Sequence, residues 1–168
     1  MNGPAPLEYN ADEPQYPQQF DWTCSACSLA WLNRALGIQH ATDELSAAEY
    51  IGTPENINAQ YGLMDGSGRV LVDRLREQGA PAFNLWPTWD QAYQLALSWP
   101  LLIGGVTWNH WVGVRSAEAG LMELANSAEG WMNVWSTLTY NDWSTLGPFA
   151  CVAVPLLRNF PPPQQTGA

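Results

Sequence analysis

The 168-residue chain contains no lysine: its six basic residues are all arginine, and they face sixteen acids, for a formal net charge of −10. A field of that sign does not gather polyanions, so binding to nucleic acid or to an anionic membrane surface through broad electrostatics is excluded. An anionic substrate would need a local patch built from Arg69, Arg74, Arg76 and Arg115. Cysteine is scarce as well, and three are too few for the disulfide framework of a small secreted domain. No stretch approaches the roughly 18 apolar residues that cross a bilayer, so no membrane span is expected. The start, Met1-Asn2-Gly3-Pro4, lacks the basic and apolar regions of a signal peptide, which implies cytoplasmic synthesis and leaves later release open. Histidine occurs twice, at His40 and His110.

What is present is enough for one folded domain: 46% of residues are hydrophobic, and the length suffices to bury a sizeable core. Residues 1–19 are rich in proline and glutamine and read as an extended or poorly ordered arm, with the domain over 20–157. Residues 158–168, with Pro161-Pro162-Pro163-Gln164-Gln165, read as a disordered tail.

Apolar spacing places helices first. Thr23 can cap a helix from Cys24 to Leu36 with Gly37 as its stop, and Thr42 or Asp43 can cap a second, through Tyr50 to Gly52. Thr53-Pro54 can open a short helical turn. A third helix runs from Arg69 to Gln78, and a fourth, capped by Thr88, from Trp89 to about Ser98. After Pro100 the period changes. Strand patterns follow at 101–106, 110–115, 121–125, 131–135 and 149–155, with short turns between them. Helices followed by closely spaced strands predict an α+β fold with a C-terminal antiparallel sheet.

The chemistry-bearing residues are Cys24 at a helix start, His110 at the head of a strand, and Asn126 sixteen residues later. Thiol, imidazole and side-chain amide are the parts of a cysteine nucleophile, its base and an orienter. His40 lies in a polar connector, so a thiol enzyme built from this chain uses His110. The positive end of a helix dipole at Cys24 favours thiolate. Cys24-Ser25-Ala26-Cys27 also has redox C-x-x-C spacing, but a proline-rich arm precedes it where a buried strand of a βαβ unit is required. Cys24, Cys27, Cys151 and His110 lack the second paired motif of a zinc site, and Cys27 and Cys151 read as core. No metal and no organic cofactor is expected. Of the ten tryptophans, most read as core, while Trp22 and Trp111 are candidates for the wall of a cleft.

The segment from Gln18 through Cys24 to Ser28-Leu29-Ala30 and Gly37 resembles the nucleophile region of papain-like cysteine peptidases, closest to the C39 and C39-like group. Pro100-Leu101-Leu102-Ile103 with His110-Trp111-Val112-Gly113-Val114 is similar to that group's histidine strand. Leu124-Ala125-Asn126-Ser127 is similar to its third catalytic segment. The resemblance spans residues 18 to 155 and implies a papain-like (C39-like) single domain. It implies Cys24 as nucleophile, His110 as base and then acid, Asn126 as orienter, and Gln18 as a side-chain donor to the oxyanion. Three positions depart from the group's pattern: Ser25 replaces the glycine after the nucleophile, Asn126 the commoner aspartate, and Ser127 the proline that often follows. Ser25 is thereby a candidate for shaping the substrate pocket, beside Trp22 and Trp111. The expected activity is hydrolysis of a peptide or isopeptide bond in a peptide or protein substrate, in a bacterial or phage setting. A peptidoglycan amidase or endopeptidase, a small-molecule transferase and a silent papain-fold binding module are the alternatives.

Overall fold

The computed structural model describes residues 7–128 and 137–156. Three helices come first: α1 (Cys24–Ala35), α2 (Glu44–Ile51) and, after a small hairpin of β1 (Ile57–Asn58) and β2 (Gly62–Leu63), α3 (Arg69–Glu77). Then follow β3 (Phe83–Leu85), α4 (Trp89–Ala96), β4 (Leu101–Gly105), β5 (His110–Glu118), β6 (Leu121–Ala125), β7 (Thr137–Leu138), α5 (Tyr140–Leu146) and β8 (Phe149–Ala153). The large sheet has the order β3-β8-β4-β5-β6-β7, and every neighbouring pair is antiparallel. The chain is therefore α+β, with an N-terminal helical half packed on an antiparallel sheet, as its sequence predicts. No helix among the described residues is long and apolar enough to cross a membrane.

Three helix starts carry reciprocal capping boxes, Asp43 with Ser46, Thr88 with Gln91, and Thr139 with Asp142. α1 does not. Thr23 stands at its N-cap position, but its hydroxyl donates to the Phe20 carbonyl at 2.8 Å and to the Glu44 carboxylate, so no side chain caps the helix. The expected Thr23 cap is thus corrected: at φ −103° and ψ 14° Thr23 lacks the extended backbone from which an N-cap oxygen reaches the helix N–H groups. Gly37 and Gly52 close α1 and α2 with φ of 73° and 119°, values at which a Cβ is strained. The helical turn expected at Thr53-Pro54 is instead a non-helical turn with a cis Thr53-Pro54 peptide, and β1, β2, β3 and α5 are too short to have shown a period. The strand expected at 131–135 lies outside the described residues, as does the proline-rich tail.

Because both faces of the sheet are covered, β4 and β8 are buried along their whole length and β5 over its first five residues. Leu102, Trp111, Ala150 and Val152 join the core beneath α1, α2 and α3. Leu101, Ile103, Val112, Val114, Cys151 and Phe149 join a second core with Ala92 and Ala96 of α4 and Trp143 of α5. The described part of the N-terminal arm is strapped along α1. The Asn10 amide donates to the Ala35 carbonyl at 2.8 Å, Trp31 Nε1 to the Glu13 carbonyl at 3.0 Å, and Gln15 Nε2 to the Cys27 carbonyl at 3.1 Å. The Arg115 guanidinium donates to the carbonyls of Ala11 and Glu13 from the far side.

Two glycines set how closely these layers approach. A Cβ on Gly113 of β5 would stand 2.4 Å from the Trp31 ring of α1, and one on Gly104 of β4 would stand 2.3 Å from the Trp111 ring. Gly104 and Trp111 are cross-strand partners, so the indole lies flat over its neighbour's backbone. Gly104→Ala is expected to lower stability by about 1–3 kcal/mol through overpacking. Urea denaturation of the two proteins measures it, and an unchanged midpoint would show that the indole has room to move.

Candidate active site

The start of α1 and the start of β5 meet. Cys24 is the first residue of α1, half-buried, and its Sγ accepts the backbone N–H of Trp111 at 3.4 Å. His110, the residue before Trp111, opens β5 opposite Gly105, where the β4–β5 turn ends. Asn109 makes that turn possible with φ of 53°, a left-handed conformation that asparagine tolerates better than most residues, and its N–H donates to the Gly105 carbonyl at 2.7 Å. Cys24, His110 and Trp111 line one cleft of about 490 Å³ together with Trp22, Asp21, Tyr61, Leu63 and Asn109.

Asn126 follows β6 directly, and its Oδ1 lies 2.8 Å from His110 Nε2. The same Oδ1 accepts the backbone N–H of Ala128 at 2.9 Å. A backbone N–H only donates, so the amide oxygen faces His110, and the hydrogen between Oδ1 and Nε2 belongs to the imidazole. The neutral ring is thereby the Nε2–H tautomer, with Nδ1 as its basic nitrogen. Trp108 covers the ring edge to face, with centroids 4.9 Å apart, and leaves His110 only 9% exposed.

Burial dominates the electrostatics. Desolvation holds the His110 imidazole below its ordinary range, and the bond to Asn126 opposes it only in part. Desolvation likewise pushes the Cys24 thiol up, against the backbone N–H groups of Trp111, Ser25 and Cys24 itself that approach the sulfur. Burial thus works against the thiolate that the start of α1 favours, and against the imidazolium as well. Cys27 and Cys151 are buried at 4% and 0% exposure, and their thiols are pushed to about 12.

Two predicted site residues stand elsewhere. Gln18 is outside the cleft lining: its Nε2 donates to the Phe20 carbonyl at 2.7 Å, and its Oε1 accepts from the Ser127 hydroxyl at 2.8 Å. Its backbone N–H also reaches the Ser127 carbonyl at 2.8 Å, so Gln18 ties the arm to the residue after Asn126. Ser25 is fully buried in α1 and does not line the cleft, so it presents no side chain to a ligand there. Its Oγ has no hydrogen-bond partner. Trp111 does line the cleft, but its ring is wedged into the space above Gly104 and Gly68, which makes it floor rather than a mobile arm. Trp22 is a half-exposed wall, 5.9 Å from Phe20.

Sequence reasoning missed Glu44. From the first turn of α2 its carboxylate accepts the N–H groups of Gln19 (2.8 Å) and Phe20 (3.2 Å) and the hydroxyl of Thr23. It thus clamps the loop that delivers Cys24. A lone acid twenty residues from the nucleophile carries no local signal of that role.

No protein-family model matches the chain, and no curated protein does. Solved structures do. The double-glycine-motif protease of an AMS/PCAT transporter, solved in complex with its leader peptide, superposes with a TM-score of 0.66 at 14% identity, covering 89% of this chain and 97% of the other. A C39-like peptidase candidate from Bacillus anthracis gives 0.61 at 14% identity, with 89% and 98% covered. The peptidase domain of Streptococcus ComA, a bi-functional ABC transporter, gives 0.61 at 11% identity, with 85% and 98% covered. The chain has the papain-like, C39-like fold of these peptidase domains.

With only two histidines, ring-proton NMR reads His110 directly once a His110→Ala spectrum assigns it. Its midpoint is expected below the ordinary 6.5, the sign that burial beside a neutral partner dictates. Asn126→Asp puts a negative charge on Nε2–H and should move the midpoint upward by about 1–3 pH units. A midpoint that does not rise would mean that Asn126 does not hold the ring.

Proposed function

We propose that this chain is a thiol hydrolase that cleaves a peptide or isopeptide bond through a thioester on Cys24. The observation that carries the reading is the His110 Nε2–Asn126 Oδ1 contact of 2.8 Å, its polarity fixed by Ala128, beside a cysteine at a helix start in the same cleft. The peptide-bound neighbour supports a peptide as the ligand class.

In this reading, His110 Nδ1 takes the Cys24 proton as the sulfur attacks the carbonyl carbon. The oxyanion forms at the uncapped first turn of α1, where the N–H groups of Cys24 and Ser25 approach the sulfur. The imidazolium then gives its proton to the leaving nitrogen as the C–N bond breaks, leaving a thioester. Water adds to the thioester with Nδ1 again taking the proton, and loss of the thiolate, reprotonated by His110, frees the acid and the enzyme. Asn126 keeps the tautomer throughout. Gln18 acts here as an anchor of the arm rather than as an oxyanion donor.

Mass spectrometry of a blocked peptide library incubated with the protein, with iodoacetamide mapping of the three cysteines, tests this. Cys24→Ala should abolish cleavage, and His110→Ala should slow both cleavage and Cys24 labelling at neutral pH by about 10²–10⁴. The reading fails if no peptide is cut and labelling ignores His110. Gln18→Ala should lower the melting temperature yet cost less than the roughly 10²-fold that loss of an oxyanion donor brings. A larger loss of rate in a fully folded variant would return Gln18 to the oxyanion.

A further inference from the structure

Asp21 is the one formally charged side chain among the described residues that line the cleft. It is exposed, and it stands three residues before Cys24, next to Trp22. No ion pair takes up its carboxylate among the described residues. Nor is a cation near to hand, because each described arginine is committed elsewhere. Arg69 pairs with Asp73, and Arg74 with Glu77, both at 3.1 Å. Arg34, Arg76 and Arg115 donate to the backbone carbonyls of Thr42, Ala82 and Leu124. The arginine patch considered from the sequence therefore does not form at the cleft.

Besides Trp111 in its floor, two further aromatic side chains, Trp22 and Tyr61, line the same cleft. A carboxylate with indole and phenol faces nearby is the surrounding that a cation takes in place of water, through charge attraction and the ring quadrupoles. The overall charge of −10 adds a long-range field of the same preference. At about 490 Å³ the cleft has room for a side chain of lysine or arginine length as well as the scissile peptide group.

We propose that Asp21 selects substrates carrying a positive charge beside the bond to be cleaved, a lysine or arginine side chain held between Asp21, Trp22 and Tyr61. As a statement about substrate, this rests on the hydrolase reading. The charge preference of the cleft itself does not, and the two can be separated.

Methanethiosulfonate reagents bearing either a trimethylammonium or a sulfonate group are reacted with the thiol of Cys24, with mercaptoethanol as the free-thiol reference. The cationic reagent is expected to gain about tenfold over the anionic one relative to that reference, the size of one screened charge pair. Asp21→Asn should remove most of that gain, and Asp21→Lys should reverse it. A ratio equal to that of mercaptoethanol, one unmoved by Asp21→Asn, or a Cys24 closed to both reagents overturns the proposal. In parallel, blocked peptides differing only in a lysine, norleucine or glutamate beside the scissile bond are compared by kcat/KM. Lysine should lead by a factor that falls in Asp21→Asn. Equal cleavage of the three overturns the substrate assignment. Reagent selectivity with no peptide cleaved supports the charge preference of Asp21 and overturns the hydrolase reading alone.

Discussion

Every residue of α1 except Cys24 and Arg34 is buried, and the whole arrangement depends on that burial. A helix enclosed on all sides has its axis and rotation set by packing rather than by its own propensity. On one side Trp31 presses into the space that Gly113 leaves open in β5, at a distance no side chain on that residue would allow. On the other, the arm ties Ala35, Trp31 and Cys27 by hydrogen bonds along the helix. The first residue of such a helix is a fixed point. That is how Cys24 comes to lie within 3.4 Å of the Trp111 amide across 87 residues of sequence.

The same burial bears on the electrostatics. It works against both charges of a thiolate–imidazolium pair, and a neutral orienter gives the imidazolium little in return. In the proposed hydrolase, charge develops when the substrate arrives, in a low-dielectric setting where backbone dipoles act strongly. Trp108 over the imidazole and Ala128 behind the amide keep the His110–Asn126 bond from exchanging with solvent partners. Rigidity here comes from several weak restraints converging on one plane.

The sequence made the central elements legible because their signals are local. Apolar spacing with Gly37 and Gly52 marked α1 and α2, and Pro100 marked the change of period that precedes β4. Cys24, His110 and Asn126 were legible as chemical types in order, and the fold brings His110 and Asn126 into contact beside Cys24. What escaped was whatever depends on partners distant in the chain. β1 and β2 have two residues each, too few for a period, and β3 has three. Ser25 looked like a pocket residue only because it follows the nucleophile, yet 100° of helical turn points it away from the cleft and into the protein. Gln18 has the spacing of an oxyanion donor, but the Phe20 carbonyl takes up its Nε2, and Ser127, 109 residues on, donates to its Oε1. Glu44 carried no motif, since its partners are the N–H groups of a loop that any sequence would have.

The placement of negative charge connects Asn126 with Asp21. A carboxylate behind the histidine would stabilise imidazolium from the protein side, whereas this chain has an amide there and a carboxylate on the cleft wall. In the proposed hydrolase, a negative charge on the substrate side is unhelpful without a bound cation, because it opposes the oxyanion that must form at the start of α1. A bound cation cancels it. The penalty on the oxyanion then disappears when a positively charged substrate occupies the cleft and persists for a neutral one. Selectivity built in this way acts on the transition state as well as on binding, since the charge pair formed by the substrate removes a repulsion that grows as the carbonyl oxygen becomes negative.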